Sequence, residues 1–152
     1  PSTLFAKGTA ALENAQFPEA IRFLQLSLAN ENPNNANAFY DLSRAYYGIG
    51  QWQQAELYAS EALRRQPDNL FYEVQYLRVL QKSQSRQKLM DELVRAHDMF
   101  PNSPDIALAL ARGYDYIEKN PRNATYMYET FLELAPMDHP MRPEIEQYLS
   151  GQ

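Results

Sequence analysis

Four prolines punctuate the chain at a nearly fixed interval. Pro33, Pro67, Pro101 and Pro136 are separated by 34, 34 and 35 residues. Each stands in a similar phrase: Asn-Pro-Asn-Asn, Gln-Pro-Asp-Asn, Phe-Pro-Asn-Ser and Ala-Pro-Met-Asp. Proline stops a preceding helix, because its ring removes a donor and clashes with the turn before it. Two residues later stands Asn35, Asn69, Ser103 or Asp138. Each offers a short side-chain oxygen that can accept an orphan N–H of a new first turn. Pro104, directly after Ser103, suits the first helical position. A period of this length means that one supersecondary unit is repeated and that neighbouring units bury each other.

Within each period the apolar residues keep helical spacing. In the second unit Phe39, Leu42, Ser43 and Tyr46 fall at i, i+3, i+4 and i+7. After Gly48-Ile49-Gly50 come Trp52, Ala55, Ala59 and Ala62. Each set marks one face of a helix. The units therefore span about 2–35, 36–69, 70–103 and 104–138. Their helices are expected near 2–14 and 17–30, 36–48 and 52–65, 70–83 and 86–99, and 104–118 and 122–134. No segment alternates with period two over a strand's length, so the expected class is all-α, built from antiparallel helix pairs. Where paired helices cross at ~8–10 Å, small residues must stand at the contact. Gly8 with Ala20, Ser43 with Ala55, and Ala111 with Ala124 are expected to meet in this way. Phe39, Tyr46 and Trp52 would fill the space around such contacts. In the third unit Leu77 and Leu89 hold both small-residue places, which predicts a wider crossing.

This arrangement resembles the tetratricopeptide repeat, a helix–turn–helix unit of about 34 residues. The second unit carries Phe39, Leu42, Ser43, Tyr46, Gly50, Trp52, Ala55, Ala59, Ala62 and Pro67 at the signature places. The first carries Leu4, Gly8, Phe17, Ala20 and Leu28, with one residue added before Pro33. The fourth carries Leu110, Ala111, Tyr114, Ala124, Tyr128 and Pro136, with one residue added in the turn near Asn120. The resemblance covers about residues 2–136. It implies a right-handed helical-repeat solenoid of four helix pairs, forming a single repeat domain over 1–152.

The resemblance also implies a concave surface, lined by the first helix of each unit, that holds an extended peptide or partner segment. By position that surface carries Phe5, Thr9 and Leu12 from the first unit, and Asn37, Tyr40, Arg44 and Tyr47 from the second. The third contributes Phe71, Val74, Arg78 and Gln81, and the fourth Asp105, Leu108, Arg112 and Tyr116. Some family members clamp a chaperone's C-terminal carboxylate with Lys and Asn at fixed places. Here those places hold Phe5, Thr9, Asp41, Phe71 and Gln75, so that role is not expected.

Arg44, Arg78 and Arg112 recur in phase. Like positions on stacked helices would form a ladder with rungs about 10 Å apart. An extended chain rises ~3.3 Å per residue, so about three ligand residues span a rung. Guanidinium groups favour planar, bidentate acceptors, which makes carboxylates their natural partners. Asp41 stands three before Arg44 and Asp115 three after Arg112, so both an internal helix pair and an open donor fit those two arginines. Arg78 has no acidic residue at i±3 or i±4. Tyr40, Tyr47, Phe71 and Tyr116 would add rigid contact area.

Other chemistries find little support. A net charge of −5 gives no electrostatic footprint for nucleic acid. Without cysteine there is neither a disulfide nor a thiolate, and no apolar run nears the ~18 residues of a membrane span. His97 and His139 have no cysteine or compact carboxylate cluster beside them, and no Gly-rich phosphate loop or Ser–His pairing is present. No catalytic centre, metal site or cofactor is expected. Asn123-Ala124-Thr125 matches a glycosylation sequon by chance, since Ala124 is needed for packing.

Beyond Pro136, Ile145, Tyr148 and Leu149 form an apolar stripe that predicts a capping helix over about 143–150. Its start is set by Pro143, which disfavours helix at Arg142. No cap precedes the first unit. Further protein before Pro1 is expected there, or a partner, a second copy of the chain included. The compartment stays open between cytoplasm and periplasm for a soluble chain of this kind. The expected function is a protein-interaction module that binds an extended peptide, with acidic groups, in its groove. The alternative is a structural spacer or oligomerisation part of a larger envelope or secretion assembly, with the groove idle.

Overall fold

The computed structural model describes residues 3–82 and 84–151. The expected helix bounds at 2 and 83 lie outside these residues. Among the described residues the fold is all-α. In chain order its helices are α1 Leu4–Glu13, α2 Phe17–Asn30, α3 Ala36–Gly48, α4 Trp52–Arg65, α5 Leu70–Leu80, α6 Arg86–Met99, α7 Pro104–Arg112, α8 Pro121–Leu134 and α9 Arg142–Ser150. A π-helical turn, Gly113–Ile117, extends α7. This is a helical-repeat fold. It comprises two compact units, 1–84 and 85–152. The boundary falls inside the third repeat, so Leu77 belongs to the first unit and Leu89 to the second, and both are buried.

The helix starts follow from the residues two places after each proline. The side chain of Asn35 accepts the N–H groups of Asn37 and Ala38, Asn69 accepts that of Tyr72, and Ser103 accepts that of Ile106. Asp138 is the exception. The last helix starts only after Met141, so Asp138 caps nothing.

In the first unit α1, α3 and α5 pack side by side, with α2 and α4 against them. The core includes Leu12, Ala20, Leu24, Ala38 and Leu42. Ser43 Oγ donates to the carbonyl of Ala55 across 2.7 Å, so these two small residues do meet where α3 crosses α4. Gly8 differs from expectation in its partner. A Cβ there would lie 2.7 Å from Leu24 Cγ and 3.3 Å from the Leu24 backbone nitrogen, so the tight contact falls one turn beyond Ala20. Nor does Trp52 fill the interior. It is 38% exposed and lies edge-on against Tyr47.

The extra residue of the first repeat acquires a role. Glu31, just past α2, turns back so that its carboxylate accepts the N–H groups of Leu4 at 2.9 Å and Phe5 at 3.1 Å, and the hydroxyl of Ser27 at 2.8 Å. It thereby caps the start of α1 together with Thr3. The Leu4 N–H above all, then the Ser27 hydroxyl, hold its pKa below the ordinary glutamate value of 4.5. A carboxyl lowered in the folded state contributes stability above its unfolded pKa and loses it as pH falls through the folded value. Glu31→Ala is therefore expected to lower Tm at neutral pH, and the gap from the wild-type protein should close as pH drops below 4.5. Paired thermal melts across pH check this; a gap that persists in acid would show that the charge is irrelevant.

In the second unit α6, α7 and α8 pack in succession and α9 lies on α8. The helix expected over 104–118 is α only to Arg112. The residue added to this repeat is not spent in the loop near Asn120. It widens the helix into a π turn, in which Glu118 N–H reaches back to Gly113 O at 3.1 Å. Gly113 permits it, because a Cβ there would lie 2.6 Å from Met90 Sδ. The helix expected to reach 83 ends at Leu80, where Lys82 N–H closes a tight turn on Val79 O. Helix α9 starts at Arg142 despite the proline that follows, held by guanidinium bonds to Leu132 O at 2.7 Å and Ala135 O at 3.0 Å. Ile145 is buried and Tyr148 packs on Tyr128 at 4.9 Å, as a capping helix requires.

Candidate peptide-binding face

The face of the first unit formed by α1, α3 and α5 is built from a sequence of rings and cations. On α3, Tyr40, Arg44 and Tyr47 stand at i, i+4 and i+7. Tyr40 lies 5.0 Å from Tyr72 of α5, whose hydroxyl donates to the amide oxygen of Asn37. Burial above all pushes the Tyr72 phenol up from its ordinary pKa. Tyr47 meets Trp52 edge-on at 5.1 Å. Three cations rest on these rings. Arg44 lies 5.4 Å from the centre of Tyr40, Arg78 5.5 Å from Tyr47, and Lys82 5.3 Å from Trp52. Helix α4 starts at this Trp52 with no side-chain cap and no acidic residue in its first turn.

The cations differ in their counter-charges. Arg44 is paired within its own helix: its Nη1 is 3.4 Å from Asp41 Oδ1. Asp41 also accepts the Thr9 hydroxyl at 2.9 Å. Burial pushes the Asp41 carboxyl up from its ordinary range, against the opposing pull of Thr9 and Arg44. Of the two readings open for Arg44, the structure shows the internal pair. Among the described residues neither Arg78 nor Lys82 makes an ion pair.

Helix α5 carries the rest of the face. Phe71 is 74% exposed and Val74 45%, two turns and one turn before Arg78 on the same stripe. Phe5 is half-buried, and Leu12 is in the core and not on this face. Sequence reasoning left out Trp52 and Lys82 as site residues. The signal was present: Lys82 follows Arg78 by one helical turn, and Trp52 follows Tyr47 across the Gly48–Gly50 turn.

In the second unit the equivalent positions diverge. Leu108, expected to face a ligand, is buried. Arg112 pairs with Glu144 of α9 at 3.5 Å and not with Asp115, because Asp115 accepts the hydroxyl of Tyr128 at 2.9 Å. Burial, then that bond, push the Tyr128 phenol well above its ordinary pKa. Asp105 is taken up by His139 at 3.1 Å. Tyr116, within the π turn, is exposed. Among the described residues no group of three His, Asp or Glu side chains is placed to hold a metal ion, and no helix is long and apolar enough to cross a membrane.

Comparison with known proteins points to the same repeat. A tetratricopeptide repeat family model matches residues 10–77, which include α3 and most of α5. Residues 10–77 thus carry the tetratricopeptide repeat pattern. Solved structures agree in fold. MamA superposes with a TM-score of 0.80 at 19% identity, over 96% of this chain and 76% of that one. TTC0263, a thermophilic tetratricopeptide repeat protein of Thermus thermophilus, gives 0.68 at 23% identity, over 97% and 80%. YrrB, described as a tetratricopeptide repeat protein with an unusual peptide-binding site, gives 0.76 at 17% identity, over 98% and 73%. No curated protein matches the sequence. Tetratricopeptide repeats are protein–protein interaction modules, and the fold is in general a non-enzymatic scaffold.

Proposed function

We propose that the α1–α3–α5 face of the first unit binds an extended segment of a partner protein that carries an apolar side chain and an acidic group. One observation carries this reading: the stripe Phe71, Val74, Arg78 on α5, which presents an exposed ring, an exposed aliphatic side chain and a cation that has no carboxylate partner among the described residues. Covering the ring and the valine removes apolar area from water, worth roughly 25 cal/mol per Å². The arginine adds direction, since an exposed charge pair contributes only ~0.2–1 kcal/mol. The YrrB description, with its peptide-binding site on the same fold, supports the reading by analogy.

The test is a peptide display selection on the wild-type chain, followed by calorimetry of the selected peptides on variants. Phe71→Ala is expected to weaken binding by about 30-fold, the size of a hot-spot truncation of ~2 kcal/mol. Arg78→Glu should weaken it less, with a loss that shrinks in high salt. Selected peptides indifferent to both changes would place the partner elsewhere and leave this face idle, as in a spacer.

A further inference from the structure

We propose that the corner made by Tyr47, Trp52, Arg78 and Lys82 seats a dianionic phosphate, carried on a phosphorylated side chain of the bound segment. The inference rests on the peptide-binding reading above and adds the chemistry that the acidic group must have.

Arg78 and Lys82 stand one helical turn apart at the end of α5. Like charges at this spacing repel. The chain carries an excess of acidic residues, and Arg44, Arg64, Arg65 and Arg112 each lie beside a carboxylate. Arg78 and Lys82 do not, among the described residues. Basic residues at a helix C-terminus complement its dipole, which accounts for their sign. The dipole does not account for their placement on two rings that touch each other at 5.1 Å. Stacking on Tyr47 and Trp52 restrains both long side chains before any ligand arrives. The negative end of α5 opposes any anion here, a dianion more than a carboxylate, so the attraction must come from both cations acting on one group. A carboxylate carries one charge. A phosphate monoester carries close to two, with three acceptor oxygens, and so matches a pair of cations.

The same stripe fixes the register. Phe71 and Arg78 are seven residues apart on α5, about 10 Å along its axis. An extended segment covers that distance in about three residues. The apolar residue of the ligand and its phosphorylated residue should therefore stand three positions apart.

Trp52 is the chain's one tryptophan, so its emission reports on this corner directly. The probes are acetyl-Leu-Gly-Gly-phosphoserine-Gly-amide, its serine and glutamate twins, and inorganic phosphate, titrated at constant ionic strength. The phosphopeptide is expected to bind about tenfold more tightly than the serine twin, and more tightly than the glutamate twin. The double variant Arg78→Gln, Lys82→Gln should abolish that preference, so that the phosphopeptide and the serine twin bind alike. Equal affinity for the glutamate and phosphoserine peptides would overturn the dianion assignment. Inorganic phosphate binding as tightly as the phosphopeptide would make the corner a free-anion site and overturn it as well. If the serine twin binds and depends on Phe71 while phosphorylation adds nothing, this inference falls and the peptide-binding reading stands. If no peptide binds, both fall.

Discussion

Replacing Phe131 by alanine is expected to cost about 3–5 kcal/mol of stability, the range for emptying a fully buried aromatic position. Phe131 on α8 is 0% exposed and meets the His139 ring edge-on at 5.0 Å. Truncation removes dispersion contacts on every side and leaves a cavity that close-packed neighbours fill only in part. The informative comparison is Phe71→Ala. That ring is almost free of the protein, so its loss should change stability by no more than about 0.5 kcal/mol. Denaturant titrations of the two variants check both statements together. If the two cost the same, the division between rings that hold the fold and a ring that awaits a ligand is wrong.

That division was only partly legible in the sequence. The helices were legible because prolines, caps and the 3.6 period all act locally: Asn35, Asn69 and Ser103 cap as their chemistry requires. The inserted residues were visible as counts, but where each would be absorbed was not. Glu31 found its use by reaching α1, 27 residues away in sequence. The insertion in the fourth repeat was taken up inside a helix because Gly113 let Met90 approach. Neither outcome follows from spacing alone, since each depends on what lies across the contact.

The candidate face shows the same limit. Positions on α3 and α5 followed from the repeat phase, and Tyr40, Arg44, Tyr47, Phe71, Val74 and Arg78 do share one unit. Their availability did not follow. Arg44 is held by a carboxylate three residues before it, Arg112 by one contributed from α9, and Leu108 is buried. A periodic arginine states where a guanidinium starts, and its long side chain then goes to the nearest counter-charge in space.

Substituting Ala55 by leucine is expected to destabilise the first unit by about 1–3 kcal/mol through overpacking. Ala55 is 0% exposed, and its carbonyl accepts the hydroxyl of Ser43 at 2.7 Å. Gln75 Nε2 of α5 in turn donates to Ser43 Oγ at 3.0 Å, so one buried relay ties α4, α3 and α5 together. The added carbons have no space, and backbone displacement is the main relief. Moving α4 from α3 lengthens the first bond of the relay, and a buried hydroxyl left without its acceptor costs about 1–3 kcal/mol more. The second bond helps to set α5 beside α3, and that placement puts Arg78 over Tyr47. Ala55→Leu should therefore lower Tm and also weaken any peptide that depends on Phe71 and Arg78, although it touches neither. Leu57→Ala on the same helix, at a side chain 55% exposed, is the control and should do neither. An Ala55→Leu protein with unchanged Tm would mean that the crossing is looser than the Ser43–Ala55 bond implies. One that melts earlier yet binds peptide as before would separate the fold's tightest crossing from the face it supports.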